Sequence, residues 1–202
     1  MRIAVFSDVH GNLSALKSVL EKIIENNVDE TVFLGDIFQR GNEEIECLNL
    51  LMDSDVICLK GNCELYTANG VDIDPDVEYL REYYDGIRSR LSDEQMNFVK
   101  KMPLFCEKEY ASQKFFFSHF LLSDIEEPYP YLGLSSLKNG IFDEACKSED
   151  IKKYDLVVVG HCHQNFVKGN VIAVSATGLE DPSFLLIEVD EERLQFKHIN
   201  IN

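Results

Sequence analysis

Apolar runs that end abruptly at a polar residue alternate, in the first third of the chain, with stretches where apolar residues recur every third or fourth position. Arg2 to Asp8, built around Ile3-Ala4-Val5-Phe6, reads as a strand buried on both faces. Leu13, Leu16, Leu20, Ile23 and Ile24 follow at helical spacing and predict an amphipathic helix over 13–26. The alternation repeats with a strand over Thr31 to Asp36 and a helix over Asn42 to Met52, whose Ile45, Leu48 and Met52 share a face. A third strand runs from Asp55 to Asn62. Strands separated by helices imply right-handed crossovers and a parallel sheet. In such sheets ligands bind beyond the carboxyl ends of the strands, where Asp8, Asp36 and Asn62 would stand.

The middle of the chain is more helical. Val77 to Arg90 predicts one helix. Ser92 with Gln95 three residues on forms a capping box for a helix over 93–101, which Pro103 stops. Phe105 to Tyr110 and Lys114 to His119 read as a hairpin around Ala111-Ser112-Gln113. From Phe120 to Gly140 neither period holds, and Pro128-Tyr129-Pro130-Tyr131 marks a long loop. It is either surface chain packing its aromatics on the body or a lid that shapes substrate access. Asp143 to Ser148 is a short helix candidate. Leu156 to His161 is a β-branched strand, Phe166 to Val174 turns at Gly169-Asn170, and Phe184 to Val189 pairs with Leu194 to Ile201 around Asp190-Glu191-Glu192. With no repeat, low-complexity segment or linker, the expectation is one domain over 1–202.

Composition narrows the function classes. At 202 residues and 45% hydrophobic, the chain can bury one sizeable core. A net charge of −17 argues against a nucleic-acid duplex as partner. It would also repel phosphate at long range, so local positive groups must offset it. The acidic groups are expected mostly on solvated helix faces. No apolar stretch reaches the roughly 18 residues that span a bilayer, and the apolar start is too short to be a signal peptide. Six cysteines lack framework spacing and form no C-x-x-C. They suit a reducing cytoplasm, as small buried groups.

Chemistry concentrates where the apolar runs end: Asp8-Val9-His10-Gly11-Asn12, Gly35-Asp36, Gly61-Asn62, His119 and Gly160-His161-Cys162-His163. Carboxylate, amide and imidazole without a dedicated thiolate are the donors of two adjacent divalent metals, which most often hydrolyse phosphate esters. In an extended strand end, alternate side chains share a face, so Asp8 with His10, and His161 with His163, could each reach one metal. Gly11 permits a sharp turn and Asn12 could cap the helix that follows. The two oxygens of Asp36 could bridge, and the Asn62 amide binds a hard cation without adding charge. His198 lies in the terminal hairpin and is expected at the surface, which leaves His119 as the better ligand. Cys162 should point to the opposite face and pack. Taken singly, each of these is an ordinary strand end or turn.

As an ordered set, the motifs resemble the calcineurin-like metallophosphoesterase superfamily, whose pattern runs D-x-H, G-D, G-N-H-[DE], H, G-H-x-H. The compact size and the segment from Leu91-Ser92 to Pro103-Leu104 are most similar to its small bacterial and archaeal phosphodiesterase-type members. The resemblance implies an α/β fold, a four-layer αββα sandwich with a dimetal site at the carboxyl ends of the strands. It implies one divalent ion on Asp8, His10 and His163, a second on Asn62, His119 and His161, and Asp36 between them. Mn is the first expectation, with Fe, Zn, Ni or Co as alternatives. A metal-bridging hydroxide would attack the ester, with Asp36 and Asn62 catalytic and with Arg40 and Asn62 contacting substrate. Asn12, Cys63 and Glu64 flank the site without a fixed role.

Three departures from the pattern matter. Cys63 stands where the family's histidine would protonate the leaving group, and a thiol is a weak acid donor at neutral pH. Phe120 follows the lone histidine where glycine is common. In Gly35-Asp36-Ile37-Phe38-Gln39-Arg40-Gly41, Gln39 replaces an aspartate, while Arg40 could clamp a phosphate oxygen or simply be a solvated loop residue. The function expected is a cytoplasmic phosphodiesterase acting on a small or nucleotide-like phosphate ester. A protein phosphatase, a diadenosine-polyphosphate hydrolase and a non-catalytic scaffold remain as alternatives. No membrane partner is expected, and a homo-oligomer stays open.

Overall fold

The chain opens with β1 (Arg2–Phe6), α1 (Leu13–Glu25), β2 (Glu30–Phe33), α2 (Glu44–Met52), β3 (Val56–Cys58) and α3 (Asn62–Asn69). A 3-10 segment (Pro75–Leu80), α4 (Arg81–Arg90), α5 (Asp93–Lys101), β4 (Phe105–Tyr110) and β5 (Gln113–Ser118) follow. The remainder is α6 (Glu149–Lys152), β6 (Leu156–Val159), β7 (Phe166–Lys168), β8 (Val171–Ala173), β9 (Ser183–Val189) and β10 (Leu194–Asn200). These elements come from a computed structural model that describes residues 1–71, 75–121, 149–180 and 182–201, with backbone alone at 75–77.

The strands form two five-stranded sheets, ordered β10-β9-β1-β2-β3 and β4-β5-β6-β8-β7. The expected parallel pairing holds for β1–β2–β3 and for β5–β6–β8. The three hairpins add antiparallel strands at the sheet edges, so both sheets are mixed.

Side-chain alternation along β1 sets the layering. Ile3 and Val5 face the second sheet and pack with Phe115, Phe117, Val158 and Ile172. Ala4 and Phe6 face the other way, onto Leu16, Val19 and Ile23 of α1 and onto Leu48, Tyr84 and Val99 from later helices. On the outer face of the second sheet, Phe116, Val157 and Val159 pack with Ile151 and Tyr154 at α6. Both sheets are therefore covered on both faces, which is the αββα arrangement, and this explains why their strands read as continuous apolar runs.

Several boundaries differ from the sequence expectation. β1, β2 and β3 stop at Phe6, Phe33 and Cys58, so Asp8, Asp36 and Asn62 lie beyond the strands rather than in them. Asn62 instead opens α3, a helix the periodicity does not announce. Cys63 through Thr67 are all buried, so no apolar stripe contrasts with a polar face. The helix expected from Val77 is a 3-10 segment as far as Leu80. The capping box on α5 forms as expected, Ser92 N–H donating to Gln95 Oε1 at 2.8 Å and Gln95 N–H to Ser92 Oγ at 3.2 Å. The β4–β5 connection is a two-residue turn in which Ala111 and Ser112 both take positive φ. The helix candidate at 143–148, and the loop candidate beyond Leu121, lie outside the described residues.

Candidate metal centre

The loops that leave β1 and β2 are zipped together. Asp8 N–H donates to Gly35 O at 2.9 Å, His10 N–H to Asp36 O at 3.1 Å and Gly11 N–H to Ile37 O at 2.7 Å. Within them, and in the loop after β6, Asp8, His10, Asp36, His161 and His163 have φ of +55, +49, +67, +63 and +53°. The expectation that D-x-H and H-x-H converge by strand alternation is thus corrected: a run of left-handed residues turns these side chains onto one point. Each such non-glycine residue costs about 1–2 kcal/mol, so the surrounding packing must over-determine it. The preceding glycines permit the close approach. A Cβ on Gly61 would lie 2.3 Å from Asp36 Oδ1, and one on Gly160 would lie 2.1 Å from Ser7 Oγ and 3.1 Å from Asp8 Oδ2.

Two groups of donors result. In the first, His163 Nε2 lies 3.0 Å from Asp8 Oδ1 and 3.1 Å from His10 Nε2, while His10 Nε2 is 3.7 Å from Asp8 Oδ1. His10 Nδ1 is 2.9 Å from Phe38 O. A carbonyl only accepts, so Nδ1 carries the proton and Nε2 turns its lone pair into the cluster. In the second group, His119 Nε2 lies 3.5 Å from Asp36 Oδ2, 3.2 Å from Asn62 Oδ1 and 3.2 Å from His161 Nδ1. A third grouping of His10, Asp36 and Cys63 brings the thiol beside both.

The Asn62 amide tests the fit of a cation. Its inward oxygen stands 3.2 Å from Asp36 Oδ2, 3.2 Å from His119 Nε2 and 2.9 Å from His161 Nδ1, a carboxylate oxygen and two imidazole nitrogens. Lone pairs converging on one point are either satisfied by turning the amide over or held apart by a cation. With two carboxylates and four imidazoles already gathered there, the donor set fits divalent metals.

Burial sharpens the electrostatics. Asp8 and His119 are fully buried, and Asp36 and His10 are 2% and 3% exposed. Burial alone would raise the Asp8 carboxyl. The charge of His119, the hydrogen bond from His163 and the neighbouring His10 outweigh it and hold Asp8 far below the usual carboxylate range. Burial, reinforced by His119, lowers His161 to about 4, so at neutral pH its ring is uncharged and free to act as a donor. His163 is also disfavoured by burial, but its bond to Asp8 raises it overall.

The flanking residues take distinct places. Glu64 is buried and points at backbone: its carboxylate accepts from the N–H groups of Asp36, Ile37 and Gly61, each at 2.8 Å. Burial and the Asp36 charge push it up to about 7 against the pull of those three donors. Asn12 caps α1 through Ala15 N–H and donates to Gly178 O, both at 3.0 Å, and does not touch the cluster. Cys63 Sγ lies 3.8 Å from Gln39 Oε1, and burial with Asp36 and Glu64 pushes its thiol well above 9. Phe120 packs edge-on against the His119 ring at 4.8 Å and the His161 ring at 5.4 Å. Cys162 packs into the outer core of the second sheet, as expected. His198 differs from expectation: it is half-buried and neither ring nitrogen has a partner among the described residues.

Arg40 lines a cavity of about 180 Å³ together with His10, Asp36, Asn62, His161 and His163. It also borders an adjoining groove of about 290 Å³ walled by Gly11, Asn42, Glu43 and Gly178. A larger hollow of about 390 Å³ beside Lys108, Lys114 and Tyr154 shares no residue with the cluster, so size alone does not mark the chemistry. Two contributors to the site were not signalled by the sequence motifs: the Phe38 carbonyl, which is backbone, and Tyr83, whose hydroxyl accepts the Gln39 N–H.

Comparison with known proteins identifies the family and the fold. The family model described as calcineurin-like phosphoesterase matches residues 1–165. An uncharacterized protein of Methanocaldococcus jannaschii is 28% identical over 174 residues, which is 84% of this chain and 67% of that protein. The solved structure of a hypothetical protein from Pyrococcus horikoshii OT3 superposes with a TM-score of 0.72 at 20% identity, covering 98% of this chain and 87% of that one. A metallophosphoesterase from Sphaerobacter thermophilus gives 0.67 at 21% identity, covering 98% and 88%. At these identities the structures speak for the fold.

Proposed function

The chain belongs to the calcineurin-like phosphoesterase family, whose members are metal-dependent phosphoric ester hydrolases, and on that premise we propose that it is a dimetal phosphodiesterase for a small or nucleotide-like ester. The observation that carries the reading is the pair of donor groups meeting at Asp36 and Asn62. Asp8, His10 and His163 would hold one divalent ion; Asn62, His119 and His161 would hold the other; Asp36 would serve both. When bound, the ions, Mn first and Fe, Zn, Ni or Co as alternatives, supply Lewis acidity and an activated water for in-line displacement.

The chain's own residues do the positioning. The His10 ring is fixed by Phe38 O, and the Asp36 backbone by Glu64. Arg40, at the cavity wall, is placed to orient a phosphoryl oxygen through a planar, charge-assisted contact.

Three features favour a diester. Cys63 stands where a leaving-group acid would be needed, and a thiol pushed well above 9 does not give up its proton at neutral pH. Esters whose leaving group departs unprotonated are therefore preferred over alkyl monoesters. A diester also carries one negative charge fewer, which matters beside a chain of net charge −17. The groove next to Arg40 gives its second arm a place. A convergent, complete donor set speaks against a non-catalytic scaffold. The reading includes one metallophosphoesterase domain over 1–202 working in a reducing cytoplasm, consistent with the five free thiols among the described residues. No helix among those residues is long and apolar enough to cross a membrane.

Elemental analysis of purified protein, joined to a screen of mono- and diester phosphates with each metal restored, tests the proposal. Stoichiometric transition metal with diester turnover supports it. No retained metal after Mn reconstitution would sink it.

A further inference from the structure

Gln39 and Arg40 are consecutive non-glycine residues, both with φ of +73°. A left-handed pair of this kind unwinds unless something holds it. What holds it lies outside the metal cluster. Gln39 N–H donates to the Tyr83 hydroxyl at 2.6 Å, and that hydroxyl donates onward to Glu44 Oε1 at 2.7 Å. Glu44 is 2% exposed, and its other oxygen lies 3.6 Å from Arg90 Nη2. Burial and the Glu44 carboxylate push the Tyr83 phenol far up, so it keeps its proton and its polarity is fixed. It must give its hydrogen to Glu44, which turns its lone pair to Gln39. On the far side Gln39 Oε1 accepts from Cys63 Sγ at 3.8 Å. The turn is thus pinned by α4 and α2 on one flank and by α3 on the other.

Arg40 itself makes no hydrogen bond or ion pair with a described residue, yet it lines the metal cavity and its charge is felt by His163. The backbone of the pinned turn therefore sets where the Arg40 side chain starts and which way it leaves the chain, and so how its guanidinium reaches the cavity.

We propose that Tyr83 is a positioning residue of the phosphate site: through its bonds to Gln39 and Glu44 it holds the left-handed turn that aims Arg40 into the metal cavity. The inference rests on the phosphoesterase reading above, and extends it to a residue that lies in none of the motifs, 44 positions beyond the Gln39 it holds.

Tyr83→Phe keeps the ring and its edge contact with Tyr84 and removes only the hydroxyl. Wild type, Tyr83→Phe, Arg40→Ala and the double variant are compared as Mn-loaded proteins. The readouts are kcat and KM on bis-p-nitrophenyl phosphate, the inhibition constant of inorganic phosphate, metal content and melting temperature. Loss of one hydrogen bond's worth of positioning should lower kcat/KM and weaken phosphate binding roughly three- to ten-fold, with metal content unchanged. In the Arg40→Ala background the same substitution should change either quantity by less than about two-fold, because coupled residues are not additive. Equal losses in both backgrounds, losses that track metal content, or a silent Arg40→Ala would each overturn the proposal. Where Tyr83→Phe does not fold, Glu44→Gln, which weakens the acceptor that polarises the hydroxyl, must show the same dependence on Arg40. A metal-loaded wild type that cleaves no phosphate ester would overturn the phosphoesterase reading instead, and calorimetric phosphate binding in the four proteins would still decide the role of Tyr83.

Discussion

Glu64 holds Asp36 by its backbone: Oε2 of the buried carboxylate accepts the Asp36 N–H at 2.8 Å, and the same atom takes the Gly61 N–H at 2.8 Å. One side chain thereby fixes the loops after β2 and β3 at their closest approach. Truncation to Glu64→Ala would strand three buried N–H groups, counting that of Ile37. Each such orphan costs about 1–3 kcal/mol, so the variant should be among the least stable of any single substitution near the site. Glu64→Gln keeps one acceptor oxygen and should fold, but with Mn affinity lowered roughly ten- to a hundred-fold, as supports behind metal ligands generally show. Thermal melting and metal titration check both. Wild-type affinity in Glu64→Gln would mean the brace is dispensable.

Cys63 sets the leaving-group preference. Bis-p-nitrophenyl phosphate should be cleaved at least as well as an alkyl monoester. Cys63→His should raise turnover of esters with poor leaving groups more than that of esters with good ones. Efficient wild-type hydrolysis of alkyl monoesters, unchanged by Cys63→His, would show that no proton donor is wanted at this position.

Arg40→Ala should reduce kcat/KM by roughly ten- to a hundred-fold, given about 1.5–3 kcal/mol for a charge-assisted contact. Lysine should rescue poorly because it lacks the planar fork. Steady-state kinetics with metal content verified distinguish this from a solvated loop arginine, for which alanine would stay within about two-fold of wild type.

His198 should make the fold sensitive to mild acid. Burial lowers its pKa below the ordinary 6.5, and among the described residues both ring nitrogens lack partners. The unfolded chain therefore takes up the proton first. Stability is intact above about 6.5 and falls as pH drops through that value toward the folded pKa. Denaturant titrations between pH 7.5 and 5 should show a smaller loss for His198→Phe than for wild type. A difference between the two proteins that does not vary with pH would exclude burial as the cause.

Much of this site was readable as sequence because its glycines are obligatory. Gly61 and Gly160 precede Asn62 and His161 where any Cβ would collide with Asp36 or Ser7, so G-N and G-H persist as visible pairs. The way the ligands converge was not readable. Alternation along a strand predicts the same neighbours as left-handed turns do, and only backbone angles separate them. The helix opening at Asn62 was hidden because its residues are buried all round, which erases the amphipathic period. Tyr83 was hidden for a different reason. Its partner is the main-chain N–H of Gln39, and main chain leaves no letter in a sequence.

The cluster also has a mechanical consequence. Asp8, His10, Asp36 and Asn62 hang from the sheet built on β1, whereas His119, His161 and His163 hang from the sheet built on β6. The group of Asp8, His10 and His163 and the group of Asp36, His119 and His161 each draw on both sheets. A pair of ions seated there would act as rivets across the open rim of the sandwich. They would add to the apolar contact between the layers, and to polar links such as Lys108–Glu30 and His161 N–H to Asp8, a tie that parting the sheets at this rim would have to break by letting the metals go.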